Sequence, residues 1–362
     1  MSGRRTTRPC RRASRPQGCG HAPSDETRVG GVTWAEETGT FSLGDLPVAG
    51  GVLQDAVLSW KTYGSLSPSL DNVILYPTSF GIGHTDQEWL IGPGKVLDPT
   101  RWFIVTPNLF GNGFSSSPSN RPDWPPLVTY QDNVDAQMKF LAGRFGISRI
   151  ACVYGYSMGA QQAYHWAARH PEAVDRIIVV CGSARTSEHN RVFLSGLRAV
   201  LETAPEHLVA GRFSAEPIAT LRAFGRIYAG WGLSQDFYRA GLHLSAFQAA
   251  SLEEFLRVNW EDRFARRSAA NLHAQLCTWH AGDVAAGQDL AAALRRIRAA
   301  VLLLPGETDL YFRVADNEAE LPCLKQAELR VIPSKWGHRA GNPLQNPEDA
   351  AFLAEQVRRW LS

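Results

Sequence analysis

A β-prone run that stops at Gly155-Tyr156-Ser157-Met158-Gly159 and passes at once into a helical pattern constrains this chain more than any other stretch. A serine on a tight strand-to-helix turn needs neighbours without a Cβ two residues to either side, and Gly155 and Gly159 supply them. Residues 150–154 before the turn are β-prone, and residues 161–170 after it are helix-prone and end at Pro171. Such a turn lifts the Ser157 hydroxyl clear of a sheet and leaves the Met158 amide free at a helix N-terminus, where it can stabilise an oxyanion. Ser157 is therefore a candidate nucleophile.

The rest of the chain repeats the alternation that this turn implies. Two β-prone runs, 40–43 and 53–62, joined through 44–47 and Gly50-Gly51, predict an antiparallel lead-in to a sheet. Residues 73–76 and 103–106 are apolar runs of the kind found in central strands. The loop from Pro77 to His84 follows the first of them, and its Ser79 amide is the expected second oxyanion donor. A serine cluster at 115–119 lacks a lysine in phosphate-loop spacing, so it reads as a structured loop near the site. Helical spacing over 130–145 and an apolar strand over 174–181 complete the pattern of a mostly parallel, doubly wound α/β sheet.

Between residues 183 and 298 strand patterns vanish. Helical ones replace them at 190–201, 218–228, 252–264 and 269–280, which predicts a helical cap inserted into a core made of residues 31–182 and 299–362. Trp231, Phe237, Tyr238, Trp260, Arg263 and Trp279 give this cap the composition of a partly apolar entrance to the site. Residues 301–304 resume the sheet. An acid just past that strand is where a serine–histidine pair finds its orienting carboxylate, and Glu307, Asp309 and Asp316 compete for the role, Asp309 being preferred. A last strand is expected at 329–332, with His338 directly beyond it and a terminal helix from about 347 to 360. Serine, acid, histidine in that chain order is the order of an α/β-hydrolase fold. Ser157 as nucleophile, His338 as base and Asp309 as its orienter are the expected catalytic residues.

Composition excludes several alternatives. A chain of 362 residues with 44% hydrophobic content can bury a large core, and a net charge of +2 argues against a polyanionic partner such as nucleic acid. The charge is uneven: residues 1–30 hold seven arginines against Asp25 and Glu26. That Arg-, Pro- and Ser-rich tail has little to bury and is expected to be disordered. No apolar run suits an export signal or a membrane span, so a cytoplasmic location is expected. The six cysteines show no metal spacing outside the tail, which predicts reduced thiols and no metal.

More specific matches lie at Leu90-Ile91-Gly92-Pro93-Gly94-Lys95-Val96-Leu97-Asp98, 103–111, Asp132-Asn133-Val134-Asp135-Ala136-Gln137, the Ser157 turn, 190–201 and Asp309-Leu310-Tyr311-Phe312. On these residues the chain from about Thr40 onward resembles the homoserine O-acetyltransferase family of the α/β-hydrolase superfamily. The resemblance implies ping-pong transfer of an acetyl or succinyl group from coenzyme A, through the serine, to a hydroxyl. The acyl-CoA serves as a co-substrate, and no cofactor is permanently bound. It also implies a homodimer formed through the cap helices, and it puts Arg198 where the family keeps an arginine for its substrate's carboxylate. Two positions depart from the family: Ala160 replaces a common glycine, and Arg339 follows His338 where an aspartate usually helps bind the substrate's amino group. A guanidinium there would repel an ammonium, so an acceptor other than homoserine, a hydroxyl or an amine, is expected. Hydrolysis of an ester or amide by the same triad is the alternative activity.

Overall fold

The computed structural model describes residues 25–29 and 32–362, with side chains from residue 33. Most of the tail for which disorder is expected lies outside the described residues. Its last part does not follow that expectation: β1 (Asp25–Val29) pairs antiparallel with β2 (Val32–Val48), whose free edge offers hydrogen bonds that the run from Glu26 to Val29 can take up. β2 continues into β3 (Gly51–Tyr63) as a longer hairpin than the sequence suggests. Residues 44–47, expected as a connection, stay in β2. Register shifts at Ser42/Gly44 and Gly44/Leu46 absorb them, with Gly44 at φ 62°.

The parallel part of the sheet is built from β4 (Val73–Leu75), β5 (Phe103–Pro107), β6 (Cys152–Tyr156), β7 (Arg176–Val180), β8 (Ala300–Leu304) and β9 (Ala327–Leu329). The nine strands run in the order β1-β2-β3-β5-β4-β6-β7-β8-β9. β9 sits earlier than the expected 329–332. Ile332 pairs only as an isolated bridge with Gly306, and Pro333, which lacks an amide hydrogen, follows it.

Alternation along each strand sends one set of side chains to each face. Val153, Ile177, Val179, Val301 and Leu303 pack beneath α1 (Tyr130–Phe145) and α2 (Met158–Arg169), whereas Cys152, Tyr154, Ile178, Leu302 and Leu304 pack against α12 (Pro347–Leu361). The chain leaves β4 for β5 on one side and returns to β6 on the other. The C-terminal ends of β4 and β6 therefore flank a topological switch point, where this sheet type leaves a crevice.

Between β7 and β8 the chain is helical: α3 (Glu188–Glu202), α4 (Ile218–Gly232), α5 (Gln235–Arg239), α6 (Leu242–Ser245), α7 (Leu252–Leu256), α8 (Asp262–Phe264), α9 (Ala269–His280) and α10 (Leu290–Arg295). A π-helical turn over Arg257–Glu261 joins α7 to α8. Phe193, Leu197, Phe224, Phe255, Leu272 and Trp279 of this layer share one apolar cluster with Met158, Tyr311, Phe312 and Trp336, so the layer is packed down onto the end of the sheet that carries Ser157. No helix of the described residues is long and apolar enough to cross a membrane.

One buried acid ties α2 and the segment after β7 to the helix that follows β8. Glu320, at the end of α11 (Val314–Glu320), accepts hydrogen bonds from the Tyr164 hydroxyl at 2.7 Å, the Ala184 amide at 2.7 Å and the Asn317 amide at 3.0 Å. Desolvation outweighs these donors and raises its carboxyl to about 7. Because the folded-state value lies above the unfolded one, the native state holds a proton that the unfolded chain has lost. The contribution of this group to stability is then largest below about pH 4.5 and falls as pH rises toward 7, by on the order of 3 kcal/mol. Glu320→Gln is expected to remove most of that fall, measured as the difference in denaturant unfolding free energy between about pH 5 and about pH 8. An unchanged difference would show that Glu320 is ionised in the fold.

Candidate active site

β6 ends at Tyr156, and Ser157 turns the chain into α2 at φ 57° and ψ −122°, a conformation that costs a non-glycine residue about 1–3 kcal/mol. The flanking glycines are required by close approach. A Cβ on Gly155 would stand 2.2 Å from the Gly159 carbonyl oxygen, and one on Gly159 would stand 2.7 Å from the Pro77 carbonyl oxygen. The turn presses the first residues of α2 against the loop after β4. Ala160, the departure at the end of the motif, also sits in a tight place, since a Cβ on Gly182 would come within 2.4 Å of its own Cβ.

The Ser79 side chain latches that loop to the turn. Its hydroxyl donates to the Tyr156 carbonyl and accepts the Gly159 N–H at 3.0 Å. The backbone amides of Ser79 and Met158 donate to no partner among the described residues, so both are free to meet a developing oxyanion.

His338 closes the constellation from 181 positions away. Its Nε2 lies 2.8 Å from Ser157 Oγ, and its Nδ1 lies 2.7 Å from Asp309 Oδ2. Asp309 follows β8, His338 stands in a 3₁₀ turn beyond β9, and both are buried. The other carboxylate oxygen of Asp309 accepts the Tyr311 and Phe312 amides at 2.8 and 3.3 Å, which fixes the acid before it meets the imidazole. Glu307 is exposed, and Asp316 accepts from the Arg313 amide at the start of α11; of the three competing acids, Asp309 is the one brought to His338. The imidazole is boxed by the rings of Tyr156 at 4.9 Å, Tyr311 at 4.8 Å and Phe312 at 5.7 Å. The Tyr156 hydroxyl also donates to the His338 carbonyl at 3.1 Å. Cys181 belongs to the same corner: its sulfur, an Asp309 oxygen and a His338 nitrogen lie within 4.8 Å of one another.

Ser157, Ser79 and His338 open on a cavity of about 130 Å³ whose far wall is the helical layer, with Phe80 stacked on Tyr228 at 5.7 Å. No acidic residue lines it. Three arginines do: Arg263, Arg267 and Arg339. Burial, with the charge of Arg263 adding to it, brings the Arg339 guanidinium down to about 10; burial also lowers Arg267.

Two of the expected features stand outside the cavity lining. Arg198 does not line the cavity; it pairs with Glu202 at 3.3 Å, because α3 turns Asn190, Phe193, Leu194, Leu197 and Leu201 inward and Arg198 lies off that stripe. The serine cluster does not reach the cavity either. Ser115 and Ser116 accept the Ser59 and Val57 amides through their hydroxyls and so hold the loop to β3. Arg267 carried no sequence signal beyond its composition, whereas the boxing aromatics stand inside the matched stretches around Ser157 and Asp309.

The profile of the α/β hydrolase fold family matches residues 80–340. The chain belongs to the α/β-hydrolase family. An ethyl acetate hydrolase of Pseudomonas veronii is 35% identical over 318 residues, covering 84% of this chain and 90% of that one. A homoserine O-acetyltransferase of Leifsonia xyli subsp. xyli is 30% identical over 321 residues, covering 78% of this chain and 79% of that one. The solved structure of the acetyl esterase MekB superposes with a TM-score of 0.86 at 32% identity, covering 90% of this chain and 96% of that one. The resemblance to homoserine acyltransferases is thus matched by a slightly stronger likeness to esterases. This α/β-hydrolase is an enzyme of the group in which both activities occur.

Proposed function

We propose that this α/β-hydrolase is a carboxylic-ester hydrolase for small esters, working through an acyl-serine. The observation that carries this reading is the Ser157–His338–Asp309 chain of short hydrogen bonds at the floor of a cavity of about 130 Å³ that holds no acidic group. Such a space suits a substrate of few heavy atoms and offers no carboxylate to an amino group.

In the first half-reaction the Ser157 oxygen bonds to the ester carbonyl carbon as its proton passes to His338 Nε2. The carbonyl π pair moves onto oxygen, facing the Ser79 and Met158 amides. Collapse breaks the bond to the alcohol oxygen, which takes the proton from Nε2. Water then repeats the sequence on the acyl-serine, giving its proton to Nε2, and release of the carboxylic acid returns that proton to Ser157. Throughout, Asp309 holds Nδ1–H and stabilises the imidazolium. One ester and one water yield one acid and one alcohol.

Acyl transfer from an acyl-CoA to a hydroxyl acceptor is the second reading, supported by the transferase relative at 30% identity. Both use the same triad and differ in whether water or an acceptor reaches the acyl-serine. Incubation with 4-nitrophenyl acetate and, separately, with acetyl-CoA with and without homoserine decides between them. Ester turnover with no acceptor-dependent release of thiol is expected; thiol release that requires the acceptor would overturn the hydrolase reading.

A further inference from the structure

The arginines on the cavity wall have no role in the reaction just described, yet the chain gathers them at a cost. Arg263 is in α8, Arg267 lies between α8 and α9, and Arg339 directly follows His338. No carboxylate of the described residues comes within ion-pair distance of any of the three; Asp86 attracts Arg267 from farther off, and Arg263 opposes the charge on both of the others.

The same layer has acids available and directs them elsewhere. Glu261 and Asp262, the two residues before Arg263, turn to Arg222 and Arg226 of α4, and Glu253 also binds Arg226. The π-helical turn ending at Glu261 offsets the helix, so that Trp260 and Arg263 reach the cavity while the acids between them do not. Arg339 is held in place: its guanidinium donates to Gln345 Oε1 at 2.8 Å and lies 5.5 Å from the centre of the Phe247 ring. Trp260 is 8% exposed, and its buried indole N–H, on a residue of the same wall, has no acceptor among the described residues. Like charges beside an unpaired neutral donor, with no carboxylate among the lining residues, make a receptor for an anion, and guanidinium forks match a carboxylate in particular.

We propose that the preferred esters carry a carboxylate on their alcohol portion, held by Arg263, Arg267 and Arg339 while the carbonyl meets Ser157. The alcohol departs toward His338 Nε2, and Arg339 is the next residue on the same turn, within reach of a group carried by that alcohol. This rests on the hydrolase reading for its chemistry but not for its binding.

The test compares 3-acetoxypropanoate with 3-acetoxypropanamide, two acetyl esters of similar size that differ in one charge, by release of acetate at low ionic strength. The expected kcat/KM ratio favours the anion about tenfold or more, falls about tenfold in Arg267→Gln and Arg263→Gln, and falls with added salt. A ratio near or below one in the wild-type protein overturns the proposal. A second readout does not depend on turnover: propanoate, but not propanamide, is expected to slow labelling of Ser157 by a fluorophosphonate. Selective protection without turnover of either ester would keep the anion site and reject the hydrolase reading. Equal protection by the two compounds would reject the anion site alone.

Discussion

Ser157→Ala is expected to lower kcat for ester hydrolysis by at least about 10⁴-fold and to abolish labelling by a fluorophosphonate, with the fold intact. In the proposed mechanism three groups that touch in series divide the work: Ser157 would supply the attacking oxygen, His338 would take its proton across 2.8 Å, and Asp309 would fix the tautomer across 2.7 Å. Groups that act as a unit lose their effect as a unit, so Ser157→Ala and the double variant with His338→Ala should differ little. Asp309→Asn keeps the shape of the acid but invites the wrong imidazole tautomer, and a loss of about 10⁴-fold is expected there as well. The backbone gives a further check. Ser157 sits at φ 57°, where glycine is at ease and serine is not, so Ser157→Gly should be inactive yet more stable than the wild type by about 1 kcal/mol, read as a higher midpoint of unfolding. Retention of more than a few per cent of activity in Ser157→Ala would remove the serine from the mechanism.

Much of this site is legible in the sequence because its signals are local. The turn at Ser157 is specified by its own glycines, and Asp309 and His338 each follow an apolar run by a few residues, which in a parallel sheet brings both to one edge. What is not legible depends on which face of a helix meets which surface. Arg198 and Arg267 look alike as residues of a helical, arginine-rich stretch, but α3 turns Arg198 toward Glu202 while Arg267 lines the cavity. The π-helical turn before Arg263 breaks the periodicity from which a face could be counted. Glu320 has the same character. As an acid in a short polar helix it reads as a surface residue, and only the arrival of Tyr164 and Ala184 from two other places, beside Asn317 of its own helix, makes it a buried one. The hairpin of β2 and β3 conceals its length for a different reason, since Gly44 and Pro47 are residues that ordinarily end strands.

Gly159→Ala tests the oxyanion site apart from the triad. Alanine is a better helix former than glycine at the first turn of α2, so the helix itself should gain, and Gly159 has no left-handed backbone conformation to lose. The added methyl, however, would lie 2.7 Å from the Pro77 carbonyl oxygen and 3.3 Å from Ser79 Oγ. The first contact is with backbone, which cannot swing aside, so either the loop after β4 or the start of α2 must move. Both carry one of the two free amides, Ser79 on the loop and Met158 on the helix, and the Ser79 hydroxyl that latches them bonds to Gly159 itself at 3.0 Å. Separating the pair by a few tenths of an ångström spoils donation to a single oxygen while leaving His338 and Asp309 in contact. The expected result is a loss of about 10²- to 10³-fold in kcat, the size of one lost oxyanion donor, with KM for a small ester little changed. Thermal stability should stay within a few degrees of the wild type. A Gly159→Ala enzyme with the kcat of the wild type would show that the oxyanion is stabilised elsewhere than between the loop and the helix.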